Sequence, residues 1–229
     1  NMAYAKSDKY VLVDDVLTAL QDLAKHHRKQ LNIPVIGLTG SNGKTTTKEL
    51  IRAVLAEHFK VFATKGNLNN HIGVPLSILS IADDIEIAVI EMGANHQKEI
   101  ELLSNIAQPT HGLISNVGMA HLEGFGGFEG VKKGKAELYA YLSQNNGYAF
   151  VNAANKDLTE MANKAEVKNI VRYNTTEEGA VQGVLKHSDP LIAFNWSFNG
   201  ESHAAKANLT GTYNFENILA AISIGCFFK

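Results

Sequence analysis

Residues 39–46 read Thr-Gly-Ser-Asn-Gly-Lys-Thr-Thr, and they follow the apolar run Ile33-Pro34-Val35-Ile36-Gly37-Leu38 directly. A strand that enters a glycine-rich turn and leaves it as a helix through Gly-Lys-Thr is a phosphate-binding loop. The backbone N–H groups of the turn and of the first helical turn face an anion. Lys44 reaches the β- and γ-phosphates, and the Thr45 hydroxyl can ligate Mg²⁺. Thr39, Gly40, Ser41, Asn42, Gly43, Lys44, Thr45 and Thr46 are therefore the candidate nucleotide-binding residues. The glycine rhythm is uncommon: the usual pattern wants glycine five residues before Gly43, where Leu38 stands. A Gly/Asn turn that merely precedes Lys-Thr is the competing reading. The strand before and the helix after favour the loop.

The chain has 229 residues, enough to bury a core as one large domain or two small ones. Its net charge of −2 and the lack of a basic stripe speak against nucleic acid as a partner. The single Cys226 excludes an internal disulfide. There is no signal peptide, and the longest apolar stretch, Ile218 to Phe228, is too short to span a bilayer, so the expected location is the cytoplasm. Residues 1–30 read as the end of a preceding domain and a linker helix. Residues 31–229 read as the main domain, stopping at Lys229 inside what reads as an amphipathic helix without a cap, as in a piece of a longer protein.

Along the chain, Tyr10–Val13 reads as a short strand and Val16–Lys29 as a helix capped by Asp14 or Asp15. From Ile33 onward apolar strands near 33–39, 61–63, 85–92, 111–117, 148–151 and 170–172 alternate with helical segments. That pattern predicts an α/β fold: a mostly parallel sheet covered by helices on both faces, with ligands at the C-terminal ends of its strands. Between about 180 and 210 Phe194, Trp196 and Phe198 alternate with smaller residues before Asn199-Gly200, which predicts a small antiparallel meander. Its aromatics read as packing. A last helix begins near Asn214.

Four further polar clusters fall at strand ends or helix starts. Gly66–Pro75 carries Asn67, Asn69 and Asn70, which suit either turn chemistry or a bed of amides for a polar substrate. Glu91 ends a strongly apolar strand, where a carboxylate is costly unless paired or metal-bound. Beside a Gly-Lys-Thr loop such an acid is a Mg²⁺ ligand, or else a cap or an ion pair. The glycine-rich run Asn116–Gly127 carries His121 and Glu123. Lys132, Lys133 and Lys135 lie on one helix, and spacing alone selects none of them.

Taken together, TGSNGKTT at Thr39–Thr46, GNLNNHIGVPLS at Gly66–Ser77, EMGANH at Glu91–His96, AHLEGFG at Ala120–Gly126 and GTYNFENILAA at Gly211–Ala221 resemble the central domain of the Mur ligase family. The resemblance covers about residues 10–229 and is greatest to the members that add D-Ala-D-Ala. It implies an ATP-dependent, ADP-forming ligase of peptidoglycan precursor synthesis, whose partners are UDP-MurNAc-tripeptide and D-Ala-D-Ala. In such enzymes the tripeptide carboxylate is activated as an acyl phosphate and captured by the dipeptide amine. By resemblance Lys44 holds the phosphates and Thr45 the first Mg²⁺, Glu91 bridges toward the metals, and His121 is the ligand to a second Mg²⁺. Lys135 falls where the family carries a carbamylated lysine, with Lys133 as the other register. Asn69 and Asn70 would line the muramyl-peptide side, and Asn214 and Asn217 the adenine or ribose. Tyr213 stands where relatives usually have His. The resemblance also implies N- and C-terminal domains outside residues 31–229, and a central domain unable to ligate alone. Rival readings are another ATP-dependent amino-acid ligase, either a different Mur ligase or a folylpolyglutamate synthase, which shares the loop, and a non-catalytic P-loop nucleotide-binding module. The chain has no Asn-Lys-x-Asp base-reading run to favour the latter.

Overall fold

Val35–Thr39 (β1) is buried along its whole length because it has a neighbour on each side and helices above and below. A computed structural model describes residue 7 and residues 9–229. The strand pairs in parallel with Ile87–Glu91 (β3), Val35 opposite Ala88 and Leu38 opposite Glu91. On its other side it pairs in parallel with His111–Ile114 (β4), Ile36 opposite His111. Val61–Ala63 (β2) flanks β3, while Tyr148–Asn152 (β5) and Asn169–Tyr173 (β6) extend the sheet beyond β4. The six-stranded sheet is parallel throughout, in the order β2-β3-β1-β4-β5-β6. All strand C-termini therefore share one edge, where β1 hands over to the Gly-Lys-Thr loop.

Strand residues alternate between two cores. Val35, Ala88, Ile90, Ile114, Ala149 and Val151 face one side. There they meet Val16–Gln30 (α1), Gly73–Leu79 (α3), Glu99–Ala107 (α4), Phe128–Gln144 (α6) and Lys156–Lys164 (α7). Ile36, Leu38, Val89, Leu113 and Phe150 face the other side, covered by Lys44–Leu55 (α2) and Tyr213–Phe228 (α8). Helices on both faces are what the nearly continuous apolar strands require. Arg28 fastens α1 to this body: its guanidinium, 6% exposed, donates to the carbonyls of Leu31, Ala107 and Gln108 at 2.8–3.0 Å. It thus satisfies the C-terminal carbonyls of α4 as well as its own helix.

Gln182–His187 (β7), Ile192–Phe198 (β8) and Glu201–Ala207 (β9) form the expected antiparallel meander. Asn199 and Gly200 both have positive φ (48° and 83°), the two-residue turn that matches strand twist. Phe194 is buried and tilts against Phe215, so the aromatics pack.

Three expectations change. Tyr10–Val13 forms no strand: among the described residues none pairs with it, and its four side chains stand in solvent. The last helix is not amphipathic. It lies between the large sheet and the meander, so Ile218 packs into the small core while Leu219, Ala220 and Ile224 pack into the large one. The glycine-rich run after β4, which reads from its composition as a loop, contains a one-turn helix, Leu122–Phe125 (α5), and the helix that sequence pattern places over 131–143 starts earlier, at Phe128 (α6).

Candidate nucleotide and metal site

The loop after β1 is strapped to the segment after β4. Ser41 N donates to Asn116 O (3.1 Å), and Asn42 N to Asn116 Oδ1 (3.0 Å). Asn116 Nδ2 and Ser115 Oγ both donate to Asn42 O, at 2.8 and 3.1 Å. Ser41 Oγ donates to Gly118 O and accepts from Gly118 N, at 3.1 and 2.9 Å. A Cβ on Gly40 would lie 2.0 Å from Ser115 Oγ, so a side chain there would displace the hydroxyl that holds Asn42 O. The loop is thereby held open toward the head of α2. That helix has no side-chain cap and no acid in its first turn, which leaves N–H groups for an anion. Lys44 Nζ donates to Gly40 O (2.9 Å) and Ser41 O (3.2 Å), across the loop's mouth. Burial pushes its ammonium below the ordinary lysine range, and Glu91 opposes that shift. Thr39, by contrast, is wholly buried, its hydroxyl without a hydrogen-bond partner among the described residues, while Thr46 is half-buried on α2.

Glu91 ends β3 one strand away, 1% exposed. The Thr45 hydroxyl lies 3.2 Å from Oε2 and 3.4 Å from Oε1. Asn69 Nδ2 donates to Oε1 at 2.9 Å, and the Glu91 backbone N–H donates to Thr64 Oγ1 at 3.0 Å. A carboxylate and a hydroxyl side by side at a phosphate loop are the hard oxygen donors that Mg²⁺ takes. Asn69 and Asn70 divide the two readings of their cluster. Asn69 touches the acid, and its side chain covers Gly93, where a Cβ would be 3.0 Å away. Asn70 Oδ1 accepts from Ile72 N (3.1 Å) and Gly73 N (2.8 Å), so its carboxamide oxygen serves the start of α3.

His121 is exposed at the head of α5 with φ 54°. Among the described residues no hydrogen bond or ion pair joins it to Glu91 or Lys135, and no group of three or more His, Cys, Asp or Glu side chains is arranged to hold a metal. Lys135 is 2% exposed and has no ion-pair partner among the described residues. Its ammonium faces the Phe125 ring, and burial, with Lys44 adding to the effect, pulls its pKa down to about 8. Lys133 is exposed, and Lys132 pairs at the surface with Asp157 (2.6 Å) and Glu129 (3.3 Å). Burial thus makes the selection that spacing left open. Glu137 braces the region. Its carboxylate accepts from Lys98 N (2.6 Å) and Glu101 N (2.9 Å), fixing α6 to the head of α4.

Asn214 and Asn217 are buried in the first turns of α8 and joined to each other at 3.1 Å. Asn217 lies against Gly43, where a Cβ would be 3.0 Å from its Nδ2, so α8 backs the phosphate loop. The sequence reading missed Lys48, one turn beyond Lys44 on α2. It is 1% exposed, and its Nζ lies 3.7 Å from Glu91 Oε2 and 3.3 Å from Glu49 Oε1. Nothing in the sequence alone sets it apart from a solvated helix lysine.

This parallel sheet, with a phosphate loop after β1 and an acid ending β3, is matched over residues 38–225 by the family model of the Mur ligase middle domain. The chain belongs to that family. It is similar to the UDP-N-acetylmuramoyl-tripeptide–D-alanyl-D-alanine ligase of Bacillus subtilis (strain 168), with 37% identity over 218 residues, 95% of this chain and 46% of that protein. Among solved structures it resembles MurF from Acinetobacter baumannii, with 33% identity, a TM-score of 0.85, and 93% of this chain and 47% of that one covered. MurF from Thermotoga maritima in complex with ADP has 31% identity and a TM-score of 0.80, over 95% of this chain and 50% of that one. The chain spans about half the length of the curated relatives it matches.

Proposed function

We propose that this chain supplies the ATP-binding domain of a ligase that joins D-Ala-D-Ala to UDP-MurNAc-tripeptide in the cytoplasm. The observation that carries the reading is the pairing of Thr45 with Glu91 at the mouth of the Gly-Lys-Thr loop. Similarity to D-Ala-D-Ala-adding ligases, one of them solved with ADP, supports the substrate class and the nucleotide.

In this reading the loop N–H groups and the head of α2 receive the phosphates, and Lys44 leaves its two carbonyls to follow the γ-phosphate. Thr45 and Glu91 would hold one Mg²⁺, with Asn69 orienting the carboxylate. His121 and a carbamylated Lys135 would hold a second, once the loop carrying His121 turns inward. Bound Mg²⁺ would supply neutralisation of phosphate charge. The tripeptide carboxylate attacks the γ-phosphorus, ADP leaves, and the dipeptide amine then displaces phosphate from the acyl phosphate. The protein's share is positioning and charge stabilisation. The buried Lys135 amine is neutral for part of the time near pH 8, as reaction with CO₂ requires. Asn69 and Asn70 face the muramyl-peptide side, and Asn214 and Asn217 the adenine or ribose. Residues 31–229 form the central domain and 1–30 a lead-in, so the 229 residues alone do not ligate and bind nucleotide weakly at most.

The test is phosphate release by the full-length enzyme. It should need ATP, UDP-MurNAc-tripeptide and D-Ala-D-Ala together, and fall at least about 100-fold in Glu91→Ala. Unchanged release in that variant, or release triggered by a folate substrate, would overturn the assignment.

A further inference from the structure

Lys48 is a buried cation for which the proposed reaction has no use. Its side chain is 1% exposed, on the buried side of α2, one helical turn past Lys44. Burying an ammonium costs several kcal/mol unless a counter-charge meets it, and burying a carboxylate costs as much. Here each meets the other: Lys48 Nζ is 3.7 Å from Glu91 Oε2, and the Glu91 side chain is 2% exposed. A second acid, Glu49, touches the same ammonium at 3.3 Å from the solvent side, with its own side chain 49% exposed. The ammonium therefore lies between an inner carboxylate and an outer one.

The remaining contacts of Glu91 are neutral. Oε1 accepts from Asn69 Nδ2, and the Thr45 hydroxyl reaches both oxygens. Lys44 acts on Glu91 only at longer range, because its ammonium is committed to Gly40 O and Ser41 O. Lys48 is thus the ion-pair partner of this acid among the described residues.

We propose that Lys48 is the built-in counter-ion of Glu91: it holds the carboxylate in place while the site is without metal, and gives it up to a divalent cation. The inference rests on the reading of Glu91 as a metal ligand. A cation of charge +2 arriving beside Glu91 meets the lysine's positive charge as repulsion. Glu49 gives the displaced ammonium a carboxylate to keep, so the exchange leaves no buried charge unpaired. Metal binding in the absence of nucleotide is weakened by this competition. Arrival of the phosphates, with their negative charge, shifts the balance toward the metal. Lys48 acts through Glu91 and is a positioning residue.

The experiment has two arms on the 229-residue chain. In the first, urea unfolding in EDTA compares wild type, Lys48→Met, Glu91→Gln and the double variant. A counter-ion pair gives strong coupling: the double variant is more stable than Lys48→Met, because it buries no unpaired charge. Additive effects overturn the proposal. If Lys48→Met does not fold without metal, recovery in the double variant supports the pair, and failure of both overturns it. In the second arm Mn²⁺ binding is followed by electron paramagnetic resonance without nucleotide. Lys48→Met should bind about tenfold more tightly or better, Lys48→Arg should stay within about threefold of wild type, and Glu91→Gln should lose the site. Equal or weaker Mn²⁺ binding by folded Lys48→Met overturns the exchange. Neither arm involves ligation, so failure of the phosphate-release assay would sink the ligase reading and leave this one to its own result.

Discussion

The Lys135 ammonium sits 5.5 Å from the centre of the Phe125 ring, and no carboxylate pairs with it among the described residues. An aromatic face attracts a cation but does not replace its hydration. Burial accordingly lowers this pKa from 10.5 to about 8. Below pH 8 the folded protein carries the full penalty of a buried charge, of the order of 3 kcal/mol. Between pH 8 and 10.5 the unfolded chain binds more protons than the folded one, so the penalty fades as pH rises. Lys135→Met should therefore stabilise the chain by about 1–3 kcal/mol at pH 7, measured by urea unfolding. The gain should shrink toward zero by pH 10.5. A gain that does not depend on pH would mean that packing, and not the charge, is the cause. In the full-length enzyme the same variant should abolish ligation, a stability–function trade at one side chain.

His111 presents the opposite end of the sheet and the opposite pH range. Its ring stacks on Tyr148 at 5.2 Å and contacts Phe228 at 4.8 Å and Phe227 at 5.3 Å. Burial in that aromatic nest lowers its pKa to about 4. The unfolded imidazole titrates near 6.5, so between pH 6.5 and 4 the unfolded state takes up the proton first. The stability contributed by the neutral ring is complete above pH 6.5 and is lost as pH falls through that window, about 2–3 kcal/mol in all. His111→Phe keeps an aromatic ring and removes the titrating nitrogen. Its stability relative to wild type should improve by that amount between pH 7 and pH 4, read from paired urea titrations. A constant difference across the range would remove His111 from the acid response.

What the sequence made legible follows the range of the forces involved. The phosphate loop is local: β1, the turn and α2 are contiguous, and each is dictated by its own residues. Glu91 was legible because an acid in an apolar strand is anomalous wherever the strand goes. Lys48 was not, because a lysine on a helix reads as solvated until a strand from 43 residues further on brings Glu91 against it. Lys135 became distinct from Lys132 and Lys133 only when α5 set Phe125 beneath it and α7 set Asp157 beside Lys132. The clasp of Glu137 on α4 is likewise a meeting of two elements. Tyr10–Val13 shows the reverse error: a local apolar pattern that meets no strand among the described residues stays unpaired.

Gly43 links the loop to α8, and its replacement separates two costs. It caps α2 with φ 73°, a left-handed conformation in which an L side chain is strained by about 1 kcal/mol. A Cβ there would also lie 3.0 Å from Asn217 Nδ2, an atom already donating to Asn214 Oδ1 at 3.1 Å. Gly43→Ala should therefore cost about 2–3 kcal/mol in urea unfolding, about 1 from the backbone and the rest from the displaced amide. Introduced into an Asn217→Ala background, the same substitution should cost only the backbone share, because the amide it strikes is gone. Equal costs in the two backgrounds would show that α8 yields freely at this point. A larger cost beside Asn217 would establish that the Gly43–Asn217 contact is tight and that α8, held by its packing in both cores, does not yield there.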